Sequence, residues 1–245
     1  FVFETGAWIE SQVYALATLS YFLPFFVMLK RQGLRDFWAD ERLLRWLGWH
    51  TRMLTPPDPR IGGRRTQAPI GNAILPDGQS AVFNWAAQLV PDRTLARELA
   101  AIWHLAGEPV SAGNMGWGGV GGHTRVHDAL FDPDLKPKRL PARHSRIEPG
   151  FGAVLRHDEG KDEETFLTFK NGLVFSHYEG DELSFHWHAR GVPLCSDYGV
   201  YQGPSSTWSA HNVVEVPRSD HITRGFLSDH ELDAAADYLV GDHPK

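Results

Sequence analysis

A chain of 245 residues with 42% hydrophobic and 22% charged residues holds enough apolar mass for one large core or two smaller ones, which excludes a disordered chain. The net charge of −6 offers no basic surplus for a nucleic-acid partner, and the single Cys195 excludes an intrachain disulfide. Nine tryptophans are an unusual number, and they fit either an aromatic core or a cleft in which rings stack on sugars.

The first element is the apolar run Val13 to Leu29, interrupted by Thr18, Ser20 and Pro24. It is shorter than the ~20 residues of a membrane span, so it is predicted to be a buried core helix. Leu34 to Leu54 places Leu34, Phe37, Leu43, Leu44, Trp46 and Leu47 at helical spacings between charges, which predicts one amphipathic helix ending at Thr55-Pro56-Pro57. A short helix is expected over Ala81–Leu89. Another is expected over Arg93–Ala106, started by Pro91-Asp92 and stopped by Gly107.

A glycine-rich loop follows, in which Gly116, Gly118 and Gly121 fit G-x-G-x-x-G. No strand precedes it and no helix follows, so a dinucleotide site is rejected in favour of a cleft-bordering loop carrying Trp117. Lys136, Lys138, Arg139, Arg143, His144 and Arg146 then concentrate positive charge in a stretch read as a solvated linker, one that could also attract an acidic polymer.

From Ile147 the period becomes strand-like. Strands are predicted over 151–157, 164–170, 173–177, 182–190 and 192–197, with a type I′ hairpin at Asn171-Gly172 and a further reversal at Gly191. Helices first and strands second make an α+β chain, divided near 145 into a helical part, 1–145, and an antiparallel sheet part, 146–245.

The densest polar constellation is residues 175–216. His177 and Glu179 share a strand face, and either of them with Asp197 and His211 could supply a metal site, or these groups could simply satisfy one another by hydrogen bonds. His186 and His188 also share a face and are read as sheet-surface residues. Near the N-terminus, Glu10 and Tyr14 sit four apart on a helix face beside Trp8. No G-x-S-x-G elbow is present, and Cys195 has no helix start beside it to activate its thiol.

Two segments carry a family resemblance. GAWIESQVYALATLSYFLPFFVMLKRQG resembles the helix of heparinase II/III-like lyases and related alginate lyases, in which a glutamate precedes the catalytic tyrosine by four residues. GAVLRHDEGKDEETFLTFKNGLVFSHYEGDELSFHWHARGVPLCSDYGVY, with the later Ala-His-Asn, resembles the opening of that family's β-sandwich.

The resemblance implies the end of an incomplete (α/α) toroid followed by an antiparallel β-sandwich, in a chain that is a piece of a longer protein. It implies cleavage of a uronate polysaccharide by β-elimination, with Tyr14 as base and acid and His177 as its partner. Trp8, Glu10, Trp117 and Arg156 are the expected substrate-binding residues. A structural zinc ion is expected on Glu179, Asp197 and His211, where Glu179 departs from the family's usual histidine. The expected partner is an acidic polysaccharide or oligosaccharide, with no nucleic acid and no membrane span; homo-oligomerisation is left open. The resemblance further implies a periplasmic or secreted bacterial protein. The alternative reading is a relative that binds acidic glycan without cleaving it.

Overall fold

The computed structural model describes residues 2–71, 80–109, 140, 143–172, 182–196, 212, 225–233 and 236–242. The first helix, α1, spans Gln12–Arg31 and buries Val13, Ala15, Leu16, Leu19 and Leu23 on one side. Tyr21, Phe22, Phe25 and Met28 are exposed on the other, so this helix is one-sided rather than enclosed as the sequence predicts. At 20 residues it is also longer than the apolar run, and by length and composition alone it could cross a membrane. Its buried side nevertheless joins the core, through Leu16, Leu19 and Leu23.

The single helix predicted over 34–54 is broken. Asp36 accepts a hydrogen bond from Trp38 N (3.0 Å) and starts a 3-10 turn over Phe37–Ala39. Asp40 is extended and accepts from Arg42 N (2.9 Å), which caps a new helix, α2, over Glu41–Arg52. Each carboxylate satisfies a donor that a continuous helix would have bonded internally, and that competition ends one element and begins the next.

Helices α3 (Ala81–Leu89) and α4 (Arg93–Leu105) lie where the sequence puts them. Asp92 accepts from Thr94 N (2.8 Å) and Leu95 N (3.2 Å), and Gly107 leaves the helix at φ +86°. Asp92→Ala is expected to lower stability by about 1 kcal/mol, read as a shift of the urea midpoint; an unchanged midpoint would remove the cap from the account.

Five strands form one antiparallel sheet in the order β1 (Arg146–Glu148), β2 (Gly152–His157), β3 (Thr165–Lys170), β4 (Phe185–Ala189) and β5 (Val192–Cys195). A separate antiparallel pair, β6 (Phe226–Leu232) and β7 (Asp237–Asp242), was not predicted. Strand alternation divides the five-stranded sheet. Val154, Arg156, Phe166, Thr168, Lys170, His186 and His188 are buried on the inner face. Leu155, Leu167, Phe169 and Phe185 face outward and line an apolar recess of about 250 Å³ with Tyr238 and Leu239 of β7.

The predicted reversals are realised differently. Neither Asn171 nor Gly172 has a positive φ, so no type I′ turn forms there; the predicted strand 173–177 lies outside the described residues. Gly172 N instead donates to Glu182 Oε1 (2.8 Å), and a β-carbon on Gly172 would collide with the carbonyl of Gly150, so close approach requires this glycine. Between β4 and β5, Arg190 (φ 53°) and Gly191 (φ 74°) form the two-residue reversal with both residues left-handed, as a type I′ turn demands.

One continuous core includes Leu16 and Leu19 of α1, Leu47 and Trp49 of α2, Val82 and Phe83 of α3, Leu99 of α4, and Phe151, Val154 and Phe166 from the sheet. Trp49 meets Phe151 edge-on, with ring centroids 5.9 Å apart. Leu54–Gln67 forms an irregular loop held by Thr55 N to Thr66 O (2.8 Å) and Asp58 N to Arg64 O (2.9 Å). This loop brings Arg65 to Glu164, next to β3.

Candidate functional site

The N-terminal corner places three of the expected residues. Ser11 precedes the first turn of α1, so Glu10 lies outside the helix and does not share a helical face with Tyr14. Trp8 Nε1 donates to Glu10 Oε2 at 3.3 Å. The Trp8 ring stacks on Trp46 at 4.7 Å with planes 10° apart, and only 8% of the residue is exposed. One Trp8 face is therefore held by protein. Tyr14 stands half-buried in the first turn of α1.

Arg156 is occupied by a structural task. Its side chain is 1% exposed and its Nη1 donates to Glu164 Oε1 at 2.9 Å, while its Nη2 donates to Leu54 O at 2.6 Å. The guanidinium also lies 4.3 Å above the Phe166 ring. Glu164 in turn receives Arg65 through both oxygens, at 3.1 and 2.8 Å, and Gly160 N at 2.9 Å. Burial, followed by the neighbouring Arg143, lowers the Arg156 pKa to about 9, which leaves it charged at neutral pH. With Nη1 committed to Glu164 and Nη2 to the loop, Arg156 ties the sheet to the helical half instead of facing solvent as a sugar-binding side chain.

Two of the linker cations, Arg143 and Arg146, are also engaged, while Lys136, Lys138 and Arg139 lie outside the described residues. Arg143 pairs with Glu159 and Arg146 lies 3.7 Å from Glu148; Glu148 also pairs with Arg52 of α2. Arg52 Nη2 reaches Thr5 O at 2.8 Å, so α2, β1 and the N-terminal corner meet at one buried carboxylate.

His186 and His188 are not surface residues. They are 0% and 1% exposed on the inner face of β4, where Thr168 and Phe166 are their cross-strand neighbours. The alternating pattern predicted a shared face correctly; polarity suggested the wrong face, because Asp58 and Arg60 from the loop supply polar company inside. The i, i+2 histidine spacing was the available signal for this cluster.

His177, Glu179, Trp117, Asp197 and His211 lie outside the described residues. Asn212 donates from Nδ2 to Phe185 O of β4 at 2.9 Å. Among the described residues no group of three His, Cys, Asp or Glu side chains is gathered as a ready metal site.

No protein-family model matches the chain, and no curated protein sequence does. Solved structures do. A heparinase III structure with methylated lysines superposes with a TM-score of 0.66 at 19% identity, covering 99% of this chain and 34% of its own. A heparan sulfate lyase from Pedobacter heparinus gives 0.61 at 17%, covering 99% and 35%, and another heparinase III gives 0.59 at 14%, covering 98% and 36%. The chain thus spans about a third of the length of these structures. It shares with them a mixed fold of helices followed by antiparallel sheet.

Proposed function

We propose that this chain is part of a polysaccharide lyase that cleaves a uronic-acid-containing glycan by β-elimination. The observation that carries this reading is the likeness to heparinase III and heparan sulfate lyase structures over nearly the whole chain. On this reading residues 1–145 are the end of an incomplete (α/α) toroid and 146–245 the beginning of a β-sandwich. The acidic polymer lies between them.

β-Elimination needs a base for the proton on C5 of the uronate and an acid for the departing O4. A tyrosine whose pKa is lowered by its site can do either, and a histidine titrates near neutrality. Tyr14 is assigned as base and acid, with His177 as its partner. Tyr14 is suited to this by its half-buried place in the first turn of a helix whose Leu16, Leu19 and Leu23 are anchored in the core. Glu10, bonded to Trp8, borders this corner, and Trp117 is assigned as a stacking ring.

Glu179, Asp197 and His211 are assigned as ligands of a zinc ion. Two carboxylates and one imidazole are a donor set that zinc accepts. The ion's contribution is to brace the sheet. A periplasmic or secreted location belongs to the same reading.

The test is an ultraviolet assay for the unsaturated uronate product, using a longer protein that contains this chain on a panel of acidic polysaccharides. Product is expected with the parent, and Tyr14→Phe is expected to lower the rate by at least roughly a hundredfold while polymer binding persists. Absence of product on every uronate polymer overturns the lyase reading. Binding without product supports the non-catalytic alternative.

A further inference from the structure

Between Glu10 and Lys30 no residue is charged, yet the helix that this stretch forms is packed on one side only. Leu16, Leu19 and Leu23 enter the core, while Tyr21, Phe22, Phe25 and Met28 are 57%, 47%, 48% and 59% exposed. A surface helix carries charge on its outer side, as α2 does with Glu41, Arg42 and Arg45, whereas a helix that is apolar all round is built to be enclosed. The open side of α1 is therefore a contact surface.

Its residues form one stripe. Tyr14, Tyr21, Phe25 and Met28 follow one another at intervals of seven, four and three residues, the spacing of a single helical face. They extend for about 21 Å at ~1.5 Å per residue. The exposed rings rest on a fixed base. Phe22 stacks on Phe26 at 5.8 Å, and Phe25 lies 6.4 Å from the same ring. Phe26 stacks in turn on Phe37 at 4.6 Å and meets the buried Trp38 edge-on at 6.3 Å. Rings held in this way lose little freedom when a partner covers them, so the surface is organised before it is occupied.

The length of the related structures points to the occupant. The chain aligns over 98–99% of itself with structures of which it covers only 34–36%, so most of their fold has no counterpart here. Ridges of side chains three and four residues apart suit a second helix laid alongside. A bilayer is a poor occupant, because the opposite side of α1 is fastened to the core and packs against α3.

We propose that Tyr21, Phe22, Phe25 and Met28 of α1 are the docking surface for an apolar helix of the same longer protein, one that lies outside these 245 residues. Such docking requires a longer protein that contains this chain; it does not require lyase chemistry. Tyr14 heads the stripe, so the docked helix borders the phenol assigned above to the elimination.

Met28 carries the test, with the fully buried Met53 as internal control. The longer protein is treated with hydrogen peroxide, and oxidation of each methionine is followed by peptide mass spectrometry. Met28 is expected to react at least roughly tenfold more slowly than in the urea-unfolded protein, in step with Met53 and at any protein concentration. Met28 reacting at the unfolded rate while Met53 stays protected overturns the proposal. Protection lost on dilution marks a second copy as the occupant, and protection that needs phosphatidylethanolamine–phosphatidylglycerol vesicles marks a membrane; either overturns it. With p-benzoylphenylalanine in place of Phe25, irradiation is expected to cross-link α1 to a residue of the longer protein outside this chain. A cross-link confined to these residues or to a second molecule, or none at all, overturns the proposal. Met28 protection in a protein that yields no unsaturated uronate supports the docking surface and removes only the lyase reading.

Discussion

Glu164→Gln is expected to destabilise the protein by about 3–5 kcal/mol, the usual cost of breaking a buried ion pair by removing one partner. The carboxylate is 2% exposed and receives Arg65 through both oxygens, Arg156 Nη1 and Gly160 N. Replacing one oxygen by an amide nitrogen turns an acceptor into a donor and leaves Arg65 and Arg156 with only Glu159, 3.5 Å from Arg156 Nη1, as a nearby carboxylate. Both arginines also hold carbonyls of the 54–67 loop, Arg65 on Thr55 and Arg156 on Leu54, so the loss should spread to that loop. Urea unfolding followed by tryptophan fluorescence measures the effect. Glu163→Gln, one residue earlier and exposed, serves as control and should lie within roughly 0.5 kcal/mol of the parent. A loss at Glu164 no larger than that of the control would show that the cluster is not what fastens sheet to helices.

Acid should weaken the fold through His50. This residue is fully buried in α2, its Nδ1 lies 3.1 Å from Gln67 Oε1, and Gln67 Nε2 donates to His50 O at 3.2 Å. Because that amide oxygen only accepts, the ring carries its proton on Nδ1 and is neutral. Burial lowers its pKa from 6.5 to about 4, outweighing the hydrogen bond that the ring donates to Gln67. A histidine with a depressed folded pKa stabilises fully above its unfolded value of about 6.5, and that contribution is lost as pH falls toward 4. The full contribution is about 3 kcal/mol at roughly 1.4 kcal/mol per pKa unit. His50→Gln should therefore show a shallower decline of stability between pH 6.5 and 4 than the parent. Parallel pH curves for the two proteins would remove His50 as the cause.

Much of the helical half was readable because its signals are local. Asp92 and Gly107 mark the two ends of α4 within a few residues of the apolar stripe they bound. The break before α2 was missed for an equally local reason: Asp36 and Asp40 were counted as solvent-facing charges in a helix, although their side chains bond backbone N–H groups and end it. In the sheet, periodicity identified which residues share a face without saying which face is inside. Arg156, His186 and His188 are polar and were assigned outward or to a groove, yet the loop 54–67, about a hundred residues away in sequence, supplies the partners or covering groups that make burial tolerable. Strands β6 and β7 went unpredicted because the consecutive exposed run Ser228, Asp229, His230 and Glu231 hides any alternation in β6, and β7 has no buried residue. Of the expected site residues, Trp8 packs on Trp46, a partner that no spacing rule links to it.

The meeting of Trp49 with Phe151 inside one apolar mass has a consequence for how the molecule comes apart. Helices and sheet do not own separate interiors, so solvent that reaches the indole also uncovers the strand beside it. Loss of order should pass through both halves as a single transition, with amide protons of α2 and β2 becoming exchangeable at the same denaturant concentration.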